Sequence, residues 1–208
     1  EQGKLEVIKA KGRLQALREM TDNGSTVKGC CGIGHTRWAT HGEPSVVNAH
    51  PHVSKDKKIA VVHNGIIENY KEYLQKKGYI FVSETDTEVL AHLLDYYYQG
   101  NPLEAITKVL GRVRGSYALG ILFQENPGVL YAVRKDSPLI IGKSEQGNFI
   151  ASDVPAILKY TKTVCYIEDR EIAEITADTI QFYDEDQEEI QKEFKTVEWD
   201  AKAAEKEG

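Results

Sequence analysis

The pattern of apolar and polar residues predicts short elements in the first part of the chain. Residues 5–9 alternate like an edge strand, and Leu14, Leu17 and Met20 lie on one face of a short helix that ends near residues 22–24. Residues 32–38 are expected to be extended. The apolar run 59–62 is typical of a strand buried on both faces, and residues 66–77 predict a short helix after it.

Two longer helices are predicted in the middle of the chain. Thr85 and Glu88 have the spacing of a capping box, and apolar residues follow at helical spacing up to Gly100. Pro102 is typical of the first position of a second helix, whose apolar stripe ends before Gly115. We expect these two helices to pack against each other.

From Ser116 onward, short apolar runs separated by turn residues predict a series of strands. They cover residues 117–123, 129–133, 139–141, 149–152, 164–167, 171–175 and 180–183. Residues 126–128 and 145–148 predict hairpin connections. Because strands and helices are grouped rather than strictly alternating, we expect an α+β layered fold with largely antiparallel sheets.

Composition and charge exclude several classes of partner. The chain has 208 residues, 41% of them apolar, and a net charge of −6 with acidic residues concentrated after Tyr183, so we expect no nucleic-acid partner. Residues 184–208 are interpreted as a solvated extension or linker. The longest apolar run, residues 117–123, is too short to span a membrane, and the first residues lack a signal-peptide pattern, so we expect a cytoplasmic protein with reduced cysteines.

Residues 35–45 contain a denser set of polar and ionisable side chains suited to ligand binding than any other part of the sequence. The stretch reads His-Thr-Arg-Trp-Ala-Thr-His-Gly-Glu-Pro-Ser and combines a guanidinium, two imidazoles, an indole, a carboxylate and hydroxyl groups. Loops that follow strands are where a rigid scaffold commonly displays binding groups. We therefore expect this stretch to bind a polar ligand.

Five blocks of sequence resemble the glutaminase domains of the glutamine:fructose-6-phosphate amidotransferase (glucosamine-6-phosphate synthase) family. They are residues 32–45, 48–52, 62–69, 83–88 and 149–153, in the family's order. The resemblance runs over nearly the whole chain. Related amidotransferases share the fold but carry different residues around the first block, so the stretch 35–44 indicates this branch of the family.

The resemblance implies an N-terminal-nucleophile hydrolase fold, a four-layer αββα sandwich with largely antiparallel sheets. It implies glutamine as substrate, hydrolysed through a γ-glutamyl thioester on an N-terminal cysteine, with no cofactor and no metal. The ammonia would pass to a sugar-phosphate isomerase domain of the same full-length chain, which converts fructose 6-phosphate to glucosamine 6-phosphate in the first step of hexosamine biosynthesis. The complete protein is expected to be a homodimer.

The nucleophilic cysteine of the family has no counterpart among the matching blocks, which begin downstream of it. Glu1 cannot replace it, because a carboxylate lacks the nucleophilicity of a thiolate. We expect residues 1–183 to be a glutaminase domain without its N-terminal segment, inactive alone. Residues 184–208 are expected to be the acidic end of the domain and a linker toward an absent isomerase domain. Cys31 begins a Cys-Gly-Ile sequence like that of the family's mature N-terminus, but it is internal and is interpreted as a small core residue.

Three groups match the needs of a glutamine site. Arg37 offers a planar fork for a carboxylate. By resemblance, Asp86 would bind the substrate ammonium. Its position in the first turn of a helix is also compatible with a purely structural role, because an acidic residue there stabilises the helix. Asn64 and Gly65 fit an oxyanion hole, although Asn-Gly is also a common hairpin signal. By resemblance, the glutamine site also includes Trp38, Thr40, His41 and His50, and Trp38 belongs to a loop that closes over it.

Two other functions are compatible with parts of the sequence. Five histidines lie within residues 35–63 and could suggest a zinc hydrolase, but no His-x-x-x-His or His-x-His pair on a helix is present. A glutamine-binding module that has lost its nucleophile is the second alternative. The segment between Asn69 and Gly78 is also shorter than we expect for this family.

Overall fold

The computed structural model describes residues 3–37 and 42–198, and four helices and eleven strands lie within those ranges. The helices are α1 (Leu14–Met20), α2 (Lys71–Lys76), α3 (Thr87–Tyr97) and α4 (Pro102–Leu110). The strands are β1 (His52–Val53), β2 (Ile59–Ile67), β3 (Gly115–Phe123), β4 (Leu130–Lys135), β5 (Ile140–Ser144), β6 (Gly147–Ala151), β7 (Thr163–Tyr166), β8 (Ile172–Ile175), β9 (Ile180–Tyr183), β10 (Glu189–Ile190) and β11 (Lys195–Thr196).

Two sheets form the centre of the molecule. The first has seven strands in the order β1-β2-β3-β4-β8-β9-β10, and the second has four in the order β11-β7-β5-β6. Neighbouring strands in both sheets run antiparallel. The expected α+β fold with largely antiparallel sheets is confirmed.

Strand β3 separates two layers of hydrophobic core. Tyr117 and Ile121 pack with side chains of α3 and α4 in one cluster, whereas Ala118 and Leu122 contact a second cluster that includes Ile141 of the second sheet. Successive side chains of a strand point to opposite faces, so one strand can contribute to both layers. The first sheet therefore lies between the helices and the second sheet.

Several predictions for the first part of the chain need correction. The helix α1 is confirmed, but residues 5–9 and 32–37 form no strand. The strand predicted to end at residue 62 continues to Ile67, and the helix predicted from residue 66 begins only at Lys71. Strand β2 continues because it pairs with β3 along its whole length, up to Ile67 opposite Gly115. A local apolar pattern does not reveal such a partner strand.

The two longer helices are confirmed. Helix α4 begins at Pro102, and the Asn101 side chain accepts a hydrogen bond from the Glu104 amide at 3.2 Å, which caps the helix. Buried side chains of α3 and α4, among them Leu93 and Ile106, pack together in the first cluster. The apolar stripes read from the sequence therefore face each other.

The predicted capping box at the start of α3 is wrong. The N-cap residue is Asp86 rather than Thr85, and its side chain makes no capping hydrogen bond. The Glu88 carboxylate accepts hydrogen bonds from the amides of Val82 and Ser83 at 2.9 and 2.7 Å instead of returning to the N-cap amide. The Asp86 carboxylate likewise accepts a hydrogen bond from the Ile67 amide. Both acidic residues therefore bind segments outside the helix.

The seven strands predicted after Ser116 are confirmed as β3 to β9. Residues 126–128 lie in the connection between β3 and β4, whereas only residues 145–146 connect β5 to β6, because Gly147 and Asn148 belong to β6. The prediction that the chain is a solvated extension from residue 184 is wrong as far as Glu198. Strand β10 belongs to the first sheet, β11 belongs to the second sheet, and Phe194 packs against the second cluster. Residues 199–208 lie outside the described ranges. No helix in the described part of the chain has both the length and the apolar character needed to cross a membrane.

Candidate functional site

A cavity of about 650 Å³ lies beside β2, β3 and the start of α3. This volume is within the range of about 300–1,000 Å³ that is typical of small-molecule sites. Apolar groups such as Leu119 and Ile150 form part of its wall. Its polar side chains come from His35, Thr36, Arg37, His50, His63, Asn64, Thr85, Asp86, Thr87, Ser116 and Ser152. Residues distant in sequence therefore converge on one cavity that has both polar and apolar walls.

Asn64 and Gly65 line the cavity from within β2, opposite Ala118 and Tyr117 of β3. They are not a hairpin turn, and the helix we expected directly after them is replaced by continuing strand. Gly65 has a φ of +140°, and a Cβ there would overlap the Ser116 carbonyl. Only glycine fits this backbone position.

Asp86 lines the cavity at the N-cap of α3. Its Oδ2 accepts a hydrogen bond from the Ile67 amide at 2.6 Å and lies 4.0 Å from His63 Nδ1. The side chain is 31% exposed. The carboxylate thus joins α3 to the end of β2 while remaining accessible from the cavity.

Arg37 lines the same cavity from the end of the segment that follows α1. Its Nη2 donates a hydrogen bond to the Gly42 carbonyl at 3.0 Å. The guanidinium and the Asp86 carboxylate therefore give one cavity both a positive and a negative group. Trp38, Thr40 and His41 lie outside the described residues.

His50 is buried in the wall of the cavity. Its Nε2 is 2.9 Å from the Thr87 hydroxyl, and its ring centroid is 4.3 Å from that of His35. Burial, and then the neighbouring His35, His52, His63 and Arg37, lower the pKa of His50 to about 2, so the imidazole is neutral at physiological pH. A neutral ring at this position can accept or donate a hydrogen bond but adds no charge.

Two blocks of the resemblance are tied together by Asn48 and Glu84. The Asn48 side-chain amide donates to a Glu84 carboxylate oxygen and to the Glu43 carbonyl, both at 3.0 Å, while its Oδ1 accepts from the Glu84 amide at 3.0 Å. Asn48 is buried, so these bonds are protected from water. They hold the loop after residue 42 against the start of α3.

The sequence analysis did not select His63, Thr87 and Ser116 for the substrate site, although all three line the cavity. His63 directly precedes Asn64, and Thr87 directly follows Asp86. Their position next to Asn64 and Asp86 in the sequence could have indicated His63 and Thr87. Adjacent residues of a strand such as β2, however, normally point to opposite faces of the sheet. Here His63 and Gly65, two positions apart, share a face.

Cys31 lies outside the candidate site. It is half-buried, packs against the second hydrophobic cluster and lines a different cavity together with Cys30. Burial, with a smaller effect from Cys30, raises the pKa of the Cys31 thiol. A thiol with a raised pKa is a poor nucleophile, which agrees with the interpretation of Cys31 as a core residue.

The clustered histidines that the structure describes, which are His35, His50, His52 and His63, make hydrogen bonds and ring contacts. Within residues 3–37 and 42–198, no group of three or more His, Cys, Asp or Glu side chains is placed to hold one metal ion. His63 and His50 both contact the Thr87 hydroxyl. The geometry gives the zinc alternative no support.

Comparison with known proteins identifies close relatives. The family model described as the glutamine amidotransferase domain matches residues 2–205. The glutamine–fructose-6-phosphate aminotransferase [isomerizing] of Clostridium acetobutylicum is 56% identical over 209 residues, which is 99% of this chain and 34% of that protein. The protein of the same name from Aquifex aeolicus is 48% identical, over 100% of this chain and 36% of that protein. The chain spans about a third of the length of these curated relatives.

Solved structures support the same fold. Glutamine phosphoribosylpyrophosphate amidotransferase from B. subtilis, complexed with ADP and GMP, matches with a TM-score of 0.62 and 26% identity, over 73% of this chain and 34% of that chain. A structure described as the allosteric regulatory enzyme of purine biosynthesis matches with a TM-score of 0.63 and the same identity and coverage. The expected N-terminal-nucleophile fold class is confirmed.

Proposed function

Since this chain belongs to the family of glutamine amidotransferase domains, we propose that it is the glutamine-binding and glutamine-hydrolysing part of a glutamine:fructose-6-phosphate amidotransferase. One observation carries the proposal. A guanidinium, a carboxylate and an Asn-Gly pair, from three separate parts of the chain, line one cavity. Glutamine presents a carboxylate, an ammonium and an amide, which require these three kinds of partner.

In the proposed complex, the Arg37 guanidinium binds the glutamine α-carboxylate and Asp86 binds the α-ammonium. Asn64 and the Gly65 backbone stabilise the oxyanion that forms when the side-chain amide is attacked. His50 lies beside Arg37 in the cavity wall, and we keep Trp38, Thr40 and His41 as proposed substrate-binding residues. In this complex, the opposite charges of Arg37 and Asp86 fix the orientation of the bound glutamine.

The attacking group is proposed, by the resemblance, to be a cysteine at the N-terminus of the mature protein and not Cys31, which lines another cavity. Its thiolate forms a γ-glutamyl thioester and releases ammonia. In the complete protein, an isomerase domain uses this ammonia and fructose 6-phosphate to make glucosamine 6-phosphate. A linker toward the isomerase domain and a homodimeric complete protein remain predictions.

Calorimetry with three ligands tests the pocket separately from the chemistry. The ligands are glutamine, glutaramate, which lacks the α-ammonium, and 4-aminobutanamide, which lacks the α-carboxylate. Arg37→Lys should weaken glutamine binding roughly 10- to 100-fold, because a charge-assisted bond contributes about 1.5–3 kcal/mol and lysine cannot form the bidentate contact. It should change 4-aminobutanamide binding little. Asp86→Asn should weaken glutamine binding but not glutaramate binding.

Arg18→Lys, on the exposed face of α1, serves as the matched control and should bind all three ligands like the wild type. Equal losses for every ligand in Arg37→Lys and Asp86→Asn would refute the assigned partners. No binding of glutamine by the wild type would refute the pocket itself. Production of glucosamine 6-phosphate by the complete protein, assayed with glutamine and fructose 6-phosphate, tests the wider proposal.

A further inference from the structure

A line of buried hydrogen bonds lies in the wall of the proposed glutamine site. The Thr87 hydroxyl lies 3.0 Å from His63 Nδ1 and 2.9 Å from His50 Nε2, and His63 Nε2 lies 3.4 Å from the Ser116 carbonyl oxygen. His63 is 3% exposed, Thr87 1% and His50 9%. These side chains are almost completely buried, so their protons are expected to lie in the hydrogen bonds between them.

The direction of the line follows from the Ser116 carbonyl, which can only accept. His63 Nε2 must therefore carry a proton, and a neutral ring then has a bare Nδ1. The Thr87 hydroxyl donates its single proton to this Nδ1. Its oxygen accepts the Nε2 proton of His50, whose Nδ1 is bare and has no hydrogen-bond partner among the described residues.

His63 contacts both halves of the proposed site. A Cβ on Gly65 would come within 3.0 Å of its Nε2, so the ring lies directly against the glycine of the proposed oxyanion hole. Its Nδ1 lies 4.0 Å from the Asp86 carboxylate. The orientation and protonation of one ring thus affect the oxyanion donor and the ammonium partner together.

On the basis of the proposed glutamine site, we propose that Thr87 is a positioning residue. Its hydroxyl holds His63 neutral with the proton on Nε2, so that the ring supports Gly65 and leaves the Asp86 charge to the substrate ammonium. If Nδ1 were protonated, the imidazolium would pair with Asp86 and compete with glutamine.

The net effect of the surroundings of His63 also favours the neutral ring, because burial outweighs two opposing effects. Burial lowers the pKa of His63, Asp86 raises it to a smaller extent, and the Ser116 carbonyl also raises it. Among residues 3–37 and 42–198, the other titratable groups that face the cluster are His35, His50, Arg37 and His52 of β1, whose ring packs edge-on against His50. A hydrogen bond donated by Thr87 to Nδ1 favours the neutral ring further.

Thr87→Val removes the donor and keeps the shape of the side chain. We expect ¹⁵N NMR of wild-type His63 to show the proton on Nε2 without change from pH 6 to 8. In Thr87→Val, Nδ1 should gain protonation toward pH 6, and glutamine binding should become roughly 5- to 10-fold weaker, the equivalent of one neutral hydrogen bond. Thr87→Ser, which keeps the hydroxyl, should restore both properties.

Thr107→Val is the matched control, because the Thr107 hydroxyl of α4 is buried without a hydrogen-bond partner among the described residues. It should change neither the His63 spectrum nor glutamine binding. A wild-type His63 with its proton on Nδ1, or an unchanged His63 spectrum in Thr87→Val, would refute the positioning role. The NMR result does not depend on a ligand, so failure of the glutamine proposal alone would leave the tautomer of His63 as stated.

Discussion

Replacing Gly65 by alanine should damage the candidate site more than its small size suggests. The residue has a φ of +140°, and an added Cβ would overlap the Ser116 carbonyl of the paired strand. A non-glycine residue in such a backbone region loses on the order of 1–3 kcal/mol. Forcing a methyl group against the neighbouring backbone adds about 1–3 kcal/mol.

We take about 3 kcal/mol as the total, toward the lower end of that sum, because β2 and β3 can move apart slightly at this point. For a domain of this size, 1 kcal/mol changes Tm by about 2–4 °C, so we expect Tm to fall by roughly 6–12 °C. Separation of the strands would also displace the Gly65 peptide and the His63 ring beneath it. Glutamine binding should therefore weaken as well.

Differential scanning fluorimetry measures the loss of Tm, and calorimetry at a temperature where the variant is folded measures glutamine binding. Ile106→Ala is the stability-matched control, because Ile106 is fully buried in α4 away from the cavity and its truncation removes about 2–5 kcal/mol. It should lower Tm and leave glutamine binding intact. A Gly65→Ala variant with wild-type Tm and wild-type affinity would refute the steric reasoning.

Two further predictions concern buried polar groups. Burial alone would raise the pKa of Glu88, but His92, Ser83 and the Val82 amide lower it to about 2. A carboxyl with a lowered folded-state pKa contributes stability above about pH 4.5 that is lost as the pH falls toward 2. Glu88→Gln should therefore have a lower Tm than the wild type at pH 7, and its Tm should fall less than that of the wild type between about pH 4.5 and 2. Equal dependence of Tm on pH in the two proteins would contradict this. The Tyr117 hydroxyl is buried without a hydrogen-bond partner among the described residues. Tyr117→Phe should therefore leave the free energy of unfolding, measured with urea, unchanged or raise it by up to about 1 kcal/mol. A clear decrease in that free energy would contradict this and indicate a stabilising contact of the hydroxyl.

The sequence predicted the second half of the fold well because its information is local. Alternating apolar residues and turn signals at residues 126–128 and 145–148 define β3 to β6 without knowledge of any partner. Two of the elements that it missed depend on distant segments. Strand β2 extends to Ile67 only because β3 supplies a partner for every residue, and β11 forms in a polar segment because β7 supplies its partner. Strand β10 pairs with its neighbour in sequence, β9, and was missed because its segment lacks an apolar pattern.

The candidate site was predictable where chemistry is visible in the residue type. A guanidinium, a carboxylate and an Asn-Gly pair can be matched to glutamine from the sequence, and the structure places Arg37, Asp86, Asn64 and Gly65 around one cavity. The tautomer of His63 could not be predicted. It depends on the Ser116 carbonyl, which is 53 residues away in the chain and carries no signal in its residue type.

The start of α3 shows why a local motif can be identified correctly as a helix start and still be assigned the wrong bonds. A capping box contributes about 1 kcal/mol. The Glu88 carboxylate instead takes two backbone amides and the Ser83 hydroxyl, and hydrogen bonds to a charged group contribute about 1.5–3 kcal/mol each, so the tertiary arrangement is favoured. Asp86 likewise binds the Ile67 amide of β2. Its structural role and its proposed role toward the substrate are therefore compatible, because the bond to Ile67 is what holds the carboxylate in the wall of the cavity.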